Sequence, residues 1–288
     1  MKVYLVDGTY ELFRYYYAPG QTGSKFGATR GVLRSMLGML EGGVTHLGVA
    51  TDRVIESFRN DLYAGYKTGA GVEKALLAQF PVVERALEAM GVRTWKMTKY
   101  EADDALAAAA KEASAYAEQV IICTPDKDLG QCVVCDHVVQ LDRRRDITLN
   151  EAGIIAKFGV PPASIPDYLA LVGDSADGFP GIPGWGAKTA AAVLSRFGRI
   201  EDIPKLASEW GVSLSVRGGP VLAAALDAQR ADAMLFKKLA TLRTNIKVGA
   251  TADALRWKGP RKSFKKVADE LGAPDLFDKA KELAAGRE

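Results

Sequence analysis

Cysteine and histidine are scarce in this chain, three of one and two of the other in 288 residues. Three cysteines do not make a disulfide framework at this length. Cys132 and Cys135 form a lone C-x-x-C, and no second pair or histidine cluster exists to supply the four ligands of structural zinc. The pair falls in an apolar, strand-like run, where positions three apart face opposite sides. Cys123, inside VIICT, reads as a core residue. His46 and His137 stand at the edges of strand-like runs with no nucleophile signature around them, which removes Ser-His and Cys-His mechanisms. No apolar run approaches the roughly 20 residues of a membrane span, and MKVYLVDGTY lacks a signal-peptide pattern. A cytoplasmic protein with no membrane partner is expected. Internal repeats and low-complexity segments are absent too, as is a large net charge: 38 basic and 35 acidic side chains leave +3.

What is present is ordinary globular composition, 48% hydrophobic and 25% charged. The first half alternates short β-branched runs with longer helical patterns. KVYLVD, THLGVATD, EQVIICTPD and DHVVQLD read as strands. TRGVLRSMLGMLEGG, the segment around EKALLAQFPVVERALEAMG, and ADDALAAAAKEA have apolar spacing near 3.6, with Pro81 expected to break or kink the middle one. This alternation predicts an α/β fold with a mainly parallel central sheet and helices on both faces. From about Asn150 the strand signals stop. LNEAGIIAKFGV, PDYLALVG, KTAAAVLSRFG and PVLAAALDAQRADAMLFKKLATLR are helical patterns, followed by two short amphipathic ones, SFKKVADELG and DLFDKAKELAAG. The expected organisation is an α/β core followed by a helical module.

The acids are unevenly placed. Asp7 ends one predicted strand and Asp52 another, while Asp126 and Asp128 follow a third in PDKD. Glu101, Asp103 and Asp104 open the alanine-rich helix, and Asp174 and Asp177 lie in LVGDSADGFPG. Any one such acid is more commonly a turn former or helix cap, and acids in a first helical turn complement the macrodipole. Carboxyl ends of parallel strands, however, line one crevice where ligands bind. Nine carboxylates converging there would repel one another unless cations neutralised them. An all-oxygen set points to hard cations, Mg²⁺ or Mn²⁺, and so many acids suggest two or more ions, as in phosphodiester cleavage. With the nine set aside, 38 basic side chains face 26 acidic ones, a balance of +12. A basic surface around an acidic pocket suits a polyanionic substrate.

LVDG with Arg14 after it, SFRNDLYAGYK, YEADD, TPDKDLGQ, GDSADGFPGIPGWGAKTA and LATLRTNIKV occur in the order seen in 5′ nucleases. Over nearly its whole length the chain resembles the bacterial and phage flap endonuclease/5′-3′ exonuclease family, which includes the N-terminal 5′ nuclease domain of bacterial DNA polymerase I. The resemblance implies a PIN-like core over 1–160 with a helical arch near 67–98, and a helix–three-turn–helix module over 161–288. It assigns Asp7, Asp52, Glu101, Asp103 and Asp104 to a first metal site and Asp126, Asp128, Asp174 and Asp177 to a second. Arg14 and Lys67 match the residues that contact the scissile phosphate. The implied substrate is DNA with a 5′ flap or 5′ end, RNA-primed DNA included, cut near single-strand/duplex junctions during replication and repair. With no polymerase or proofreading domain, a stand-alone, monomeric nuclease is expected. One departure stands out: the arginine common after the YK pair is missing, with Ala70 near its place, which bears on substrate threading.

GIPGWGAKTA has the G-x-x-x-x-G spacing of a P-loop at Gly181 and Gly186, but Ala187 stands where the lysine belongs and no strand precedes it. It reads instead as a hairpin between helices. Gly181, Gly184 and Gly186 would let the backbone approach a phosphate, with Lys188 and Thr189 opening the next helix. Such contacts position a duplex without reading bases. A plain interhelical turn is the simpler alternative. In the family the element also coordinates K⁺ through turn carbonyls, and the resemblance extends that to this turn. LVDGT partly matches the start of haloacid-dehalogenase-type phosphatases, but Leu5 occupies the nucleophile's position. A DNA-binding module without catalysis is the other rival, and the complete acid set argues against it.

Overall fold

The computed structural model describes residues 1–19, 24–211 and 218–287. In chain order the first elements are β1 (Lys2–Asp7), α1 (Gly8–Tyr16), α2 (Gly27–Glu41), β2 (His46–Asp52), α3 (Phe58–Leu62), α4 (Lys74–Leu77), α5 (Phe80–Ala89), β3 (Arg93–Met97), α6 (Ala102–Ala113) and β4 (Gln119–Cys123). They are followed by β5 (Val138–Asp142), β6 (Ile147–Leu149), α7 (Glu151–Phe158), α8 (Ile165–Val172), α9 (Ala187–Phe197), α10 (Gly219–Ala228), α11 (Arg230–Ala240), α12 (Ala252–Leu255), α13 (Phe264–Glu270) and α14 (Asp275–Ala285). Two compact units share these elements: residues 1–55, 69–124 and 243–288 form one, and 56–68 with 125–242 form the other.

The first unit is built on four parallel strands in the order β3-β2-β1-β4. β1 and β2 are β-branched and apolar along nearly their whole length because both faces are covered, and Val3, Leu5, Val6, Leu47, Val49 and Ala50 are buried. Parallel pairing brings the carboxyl ends to one edge. Val6 pairs with Val49 and Asp7 with Ala50 in β2, and Asp52 pairs with Met97 of β3. The alanines of α6 are buried from Ala102 to Ala113, and their small side chains let the helix lie on β1, β2 and β3. Pro81 sits in the first turn of α5, where its missing N–H costs nothing, so it starts that helix.

The structure adds one strand and corrects one reading. RTWKM, at an exposed edge with Arg93 and Lys96 facing solvent, is a strand that its charge concealed. CVVC is not a strand: Cys132 ends a 3-10 turn and Cys135 adopts a positive φ of 46° in a tight turn, its N–H donating to Glu151. Within the stretch expected to arch near 67–98, the later part contributes a helix and a strand to the core. α5 buries Phe80, Val83, Ala86 and Leu87, and β3 belongs to the sheet, leaving only a short link with α4 before them.

The compact units are each built from separated stretches of the chain. The segment from Arg243 folds into the first unit. Arg93 Nη2 and Trp95 Nε1 both donate to the Val248 carbonyl at 2.8 Å, α12 packs on β2, α13 on α5 and α14 on α2. The second unit holds the antiparallel pair β5–β6 and the helices α3 and α7–α11 around an aromatic core. There Phe179 and Phe236 stack with centroids 5.6 Å apart, and Tyr63 meets Phe236 edge-on at 5.7 Å. Arg59, almost wholly buried, is satisfied by carbonyls: its Nε donates to Leu239 at 2.7 Å and Nη2 to Thr241 at 3.3 Å.

One glycine fixes where the first carboxylate sits. Gly8 begins α1 immediately after Asp7, and a Cβ there would stand 2.6 Å from Val49 Cγ1 and 2.8 Å from the Ala50 carbonyl. Gly8→Ala is therefore expected to push α1 off β2 and cost about 1–3 kcal/mol. Urea unfolding followed by circular dichroism measures this, and an unchanged midpoint would refute it.

Candidate metal centre and nucleic-acid site

The first unit positions Asp7, Asp52, Glu101, Asp103 and Asp104 at strand ends and a helix start. Asp7 caps α1, its Oδ1 accepting from Tyr10 N at 2.8 Å, while Oδ2 accepts from Thr124 Oγ1 at 2.9 Å. Asp52 Oδ1 accepts from Ala102 N at 2.6 Å, so the end of β2 is tied to the start of α6. Glu101 is the N-cap of α6 and shares a reciprocal capping box with Asp104, whose Oδ2 accepts from Glu101 N at 3.0 Å. Asp104 is fully buried, and its Oδ1 accepts from Arg243 N at 2.8 Å. Asp103 is half-buried. Capping is thus the role the contacts show: backbone amides and the positive end of α6 stabilise the negative charge of Asp7, Asp52 and Asp104.

The second unit gathers its acids more tightly. Carboxylate oxygens of Asp128, Asp174 and Asp177 lie within 4.8 Å of one another, and all three residues are buried. Asp126 is exposed and outside this cluster, with its Oδ1 accepting from Asp128 N at 3.0 Å. Glycine geometry builds the loop. Gly173 and Gly178 have positive φ, and a Cβ on Gly178 would stand 2.2 Å from the Gly65 carbonyl, so the YK segment runs directly against it. Lys67 N donates to the Asp177 carbonyl at 3.0 Å, Lys67 Nζ reaches Asp177 Oδ1 at 2.9 Å, and the Tyr66 hydroxyl donates to Asp177 Oδ2 at 3.0 Å.

Burial, then the charges of Asp126, Asp177 and Asp174, push the Asp128 carboxyl well above the ordinary carboxylate range, with Lys127 opposing. Lys127 Nζ lies 2.8 Å from Asp174 Oδ2. Burial would lower its pKa, but the hydrogen bond and charge of Asp174 outweigh that and raise it. Asp128 Oδ1 is buried with no hydrogen-bond partner among the described residues. An orphaned carboxylate oxygen among two further carboxylates fits a hard divalent cation, whose preferred ligands are oxygens. Lys127 and Tyr66 are the residues that sequence reasoning did not single out; the lysine between the acids of PDKD and the tyrosine of the YK pair were the available signals.

Arg14, in α1, has Nη2 at 2.8 Å from the Tyr15 hydroxyl and 3.3 Å from Glu11 Oε2. In the glycine-rich turn, Gly181 is buried, and a Cβ there would stand 2.4 Å from Gly173 N, so its part is to shape the turn. Gly184, Gly186 and Lys188 are exposed and Thr189 half-buried. α9 starts at Gly186 without a side-chain cap, so its first amides point outward unclaimed by a neighbouring side chain.

The raised Asp128 pKa has a definite sign. A buried carboxyl that prefers its proton stabilises the fold at low pH, and that contribution is lost as pH rises through its folded value. In EDTA, the protein is therefore expected to lose stability on going from pH 5 to pH 8. Asp128→Asn should remove most of this slope and raise the melting temperature at pH 8 by about 2–4 °C, the equivalent of roughly 1 kcal/mol. Calorimetric melting of both proteins across this range checks it; parallel curves would refute it.

The description "5'-3' exonuclease, N-terminal resolvase-like domain" matches residues 2–159, and "5'-3' exonuclease, C-terminal SAM fold" matches 160–263. A 5'-3' exonuclease of Aquifex aeolicus is 33% identical over 287 residues, covering 98% of this chain and 94% of the relative. DNA polymerase I of Pseudomonas aeruginosa is 30% identical over 295 residues; the match takes in 99% of this chain but only 32% of the polymerase. The fold is similar to that of the bacteriophage T5 D15 flap endonuclease, solved as a pseudo-enzyme–product complex with DNA and metal ions. That likeness has a TM-score of 0.67 at 18% identity and covers 98% of this chain and 100% of the other. With both halves of the family represented in order, and a full-length relative matched almost end to end, the chain belongs to the 5′-3′ exonuclease family of nucleases.

Proposed function

We propose that this nuclease removes 5′ flaps and RNA primers, cutting phosphodiesters near single-strand/duplex junctions with Mg²⁺ or Mn²⁺. The observation that carries the reading is the buried Asp128–Asp174–Asp177 cluster with its orphaned oxygen. Two or more ions are proposed. Asp128, Asp174 and Asp177, with Asp126 beside them, would hold one part; Asp7, Asp52, Glu101, Asp103 and Asp104 would hold the other. When bound, such cations supply an activated water and neutralise charge on the attacked phosphate. Lys67, leaning on Asp177, and Arg14, in the last turn of α1, would bind the phosphate and stabilise its developing charge.

Gly184, Gly186, Lys188 and Thr189 would grip a duplex phosphate at the uncapped start of α9, and the turn carbonyls would take K⁺. The phage nuclease with DNA and metal in its crystal supports a DNA substrate for this chain as well. Action as a monomer in the cytoplasm completes the proposal. No helix among the described residues is long and apolar enough to cross a membrane.

A 5′-labelled flap substrate tests this directly. Cleavage near the junction should appear with Mg²⁺ or Mn²⁺ and vanish in EDTA. Asp177→Asn should lower the rate by roughly two orders of magnitude or more, a loss of at least about 2.7 kcal/mol in transition-state stabilisation. Substitution at exposed Asp126 should cost less. Metal-independent cutting, or full activity in Asp177→Asn, would sink the assignment.

A further inference from the structure

A cavity of about 470 Å³ lies within the first unit, walled by Thr45, Arg256, Trp257, Lys258, Gly259 and Arg287, with no carboxylate in its lining. Thr45 immediately precedes His46, the first residue of β2, whereas Asp52 is the last. The cavity therefore opens at the amino end of a seven-residue strand, about 20 Å from the acids at its carboxyl end at roughly 3.3 Å per residue. It is no part of the site described above.

The walls are fixed. Trp257 N donates to the Thr45 carbonyl at 2.9 Å, and Trp257 Nε1 donates to the Met90 carbonyl at 2.8 Å. Arg256 forms an antiparallel bridge with His46. A Cβ on Gly91 would stand 2.1 Å from the Gly259 carbonyl, so the segment over 256–259 is pressed onto the turn before β3. Over this floor lies the Arg287 guanidinium, 5.1 Å from the Trp257 ring centre, with Nη2 donating to the Leu40 carbonyl.

Arg287 Nη1 is buried and has no hydrogen-bond partner among the described residues. Desolvation holds its pKa below the ordinary value. Leaving such a donor unmade costs about 1–3 kcal/mol, more for a charged group. Lys258 is already paired with Asp253 at 2.5 Å, while Arg256 is exposed at the rim. Two arginines in one lining suit an oxyanion with several acceptor oxygens, since a guanidinium presents a planar fork of donors. Trp257 is only 5% exposed, so its ring offers no face for a base to stack on.

We propose that this cavity is a second anion site that binds a phosphate group between Arg256 and Arg287, without discrimination among bases. The phosphate can belong to a free nucleotide or to a nucleic-acid strand. Isothermal titration of the whole chain in EDTA with inorganic phosphate tests the site itself. One saturable event is expected, weakened about tenfold or more in the double variant Arg256→Gln/Arg287→Gln, as the loss of charge-assisted bonds requires. The single exposed change Arg256→Gln should weaken it several-fold and covers the case in which the double variant unfolds. Competition by 5′-dAMP and 5′-dTMP alike assigns the site to free phosphate esters; competition by a blunt duplex lacking terminal phosphates assigns it to strand phosphates. Absence of saturable binding, equal binding by the folded variants, or a strong preference between the two nucleotides would overturn the proposal. These arginines lie outside the acid clusters, so flap cleavage can remain intact when the anion site fails.

Discussion

Repulsion among gathered carboxylates is the constraint around which this chain is arranged. The two units meet it differently. In the first, the negative groups are held by neutral donors: the amides that begin α1 and α6 and the threonine hydroxyl of Thr124. In the second, lysine ammonium groups lean on Asp174 and Asp177, and one oxygen of Asp128 is left without a partner among the described residues. Amides are fixed dipoles that leave room for a further positive ligand. Ammonium groups carry full charge on flexible stems and can be exchanged. Within the second set, burial and the neighbouring acids raise the pKa of Asp128.

Much of the fold was legible because its strongest signals are local. β1, β2, β4 and β5 announced themselves as apolar β-branched runs, and α6 and α8 as 3.6-residue patterns. What was less legible had tertiary causes. β3 carries Arg93 and Lys96 because it is an edge strand, and its alternation is too short to register. Within the stretch expected to arch, α5 repeats the apolar spacing of a core helix and behaves as one. The return of the chain after Arg243 into the first unit could not be read from composition, since α13 and α14 are amphipathic helices that would suit either unit.

Of the acids that the sequence marks, the structure brings Asp128, Asp174 and Asp177 together, and their supports were less legible. Position at strand ends marked Asp7 and Asp52, and spacing marked the Glu101–Asp104 turn; the structure adds that Asp104 spends both oxygens on backbone amides. Asp126 and Asp128 look equivalent in PDKD, but one is exposed and the other buried. Asp128 begins a 3-10 turn while Asp126 precedes it, and no local rule foretells which of two neighbours will point inward. Tyr66 and Lys127 escaped notice because their significance lies in partners 111 and 47 residues away, Asp177 and Asp174.

The interleaving of the chain has a consequence for its biosynthesis. The sheet of the first unit is made early, but the strap over β3 and the helices laid on α2 and α5 come from residues after 242. The second unit is meanwhile translated almost in one piece between Pro125 and Leu242, needing only the short loop over 56–68 that already precedes it. A ribosome thus releases the complete ingredients of the second unit first. The edge of β3 waits, uncovered, until the last segment emerges, which makes the nascent chain most open to mispairing at its exposed edge strand.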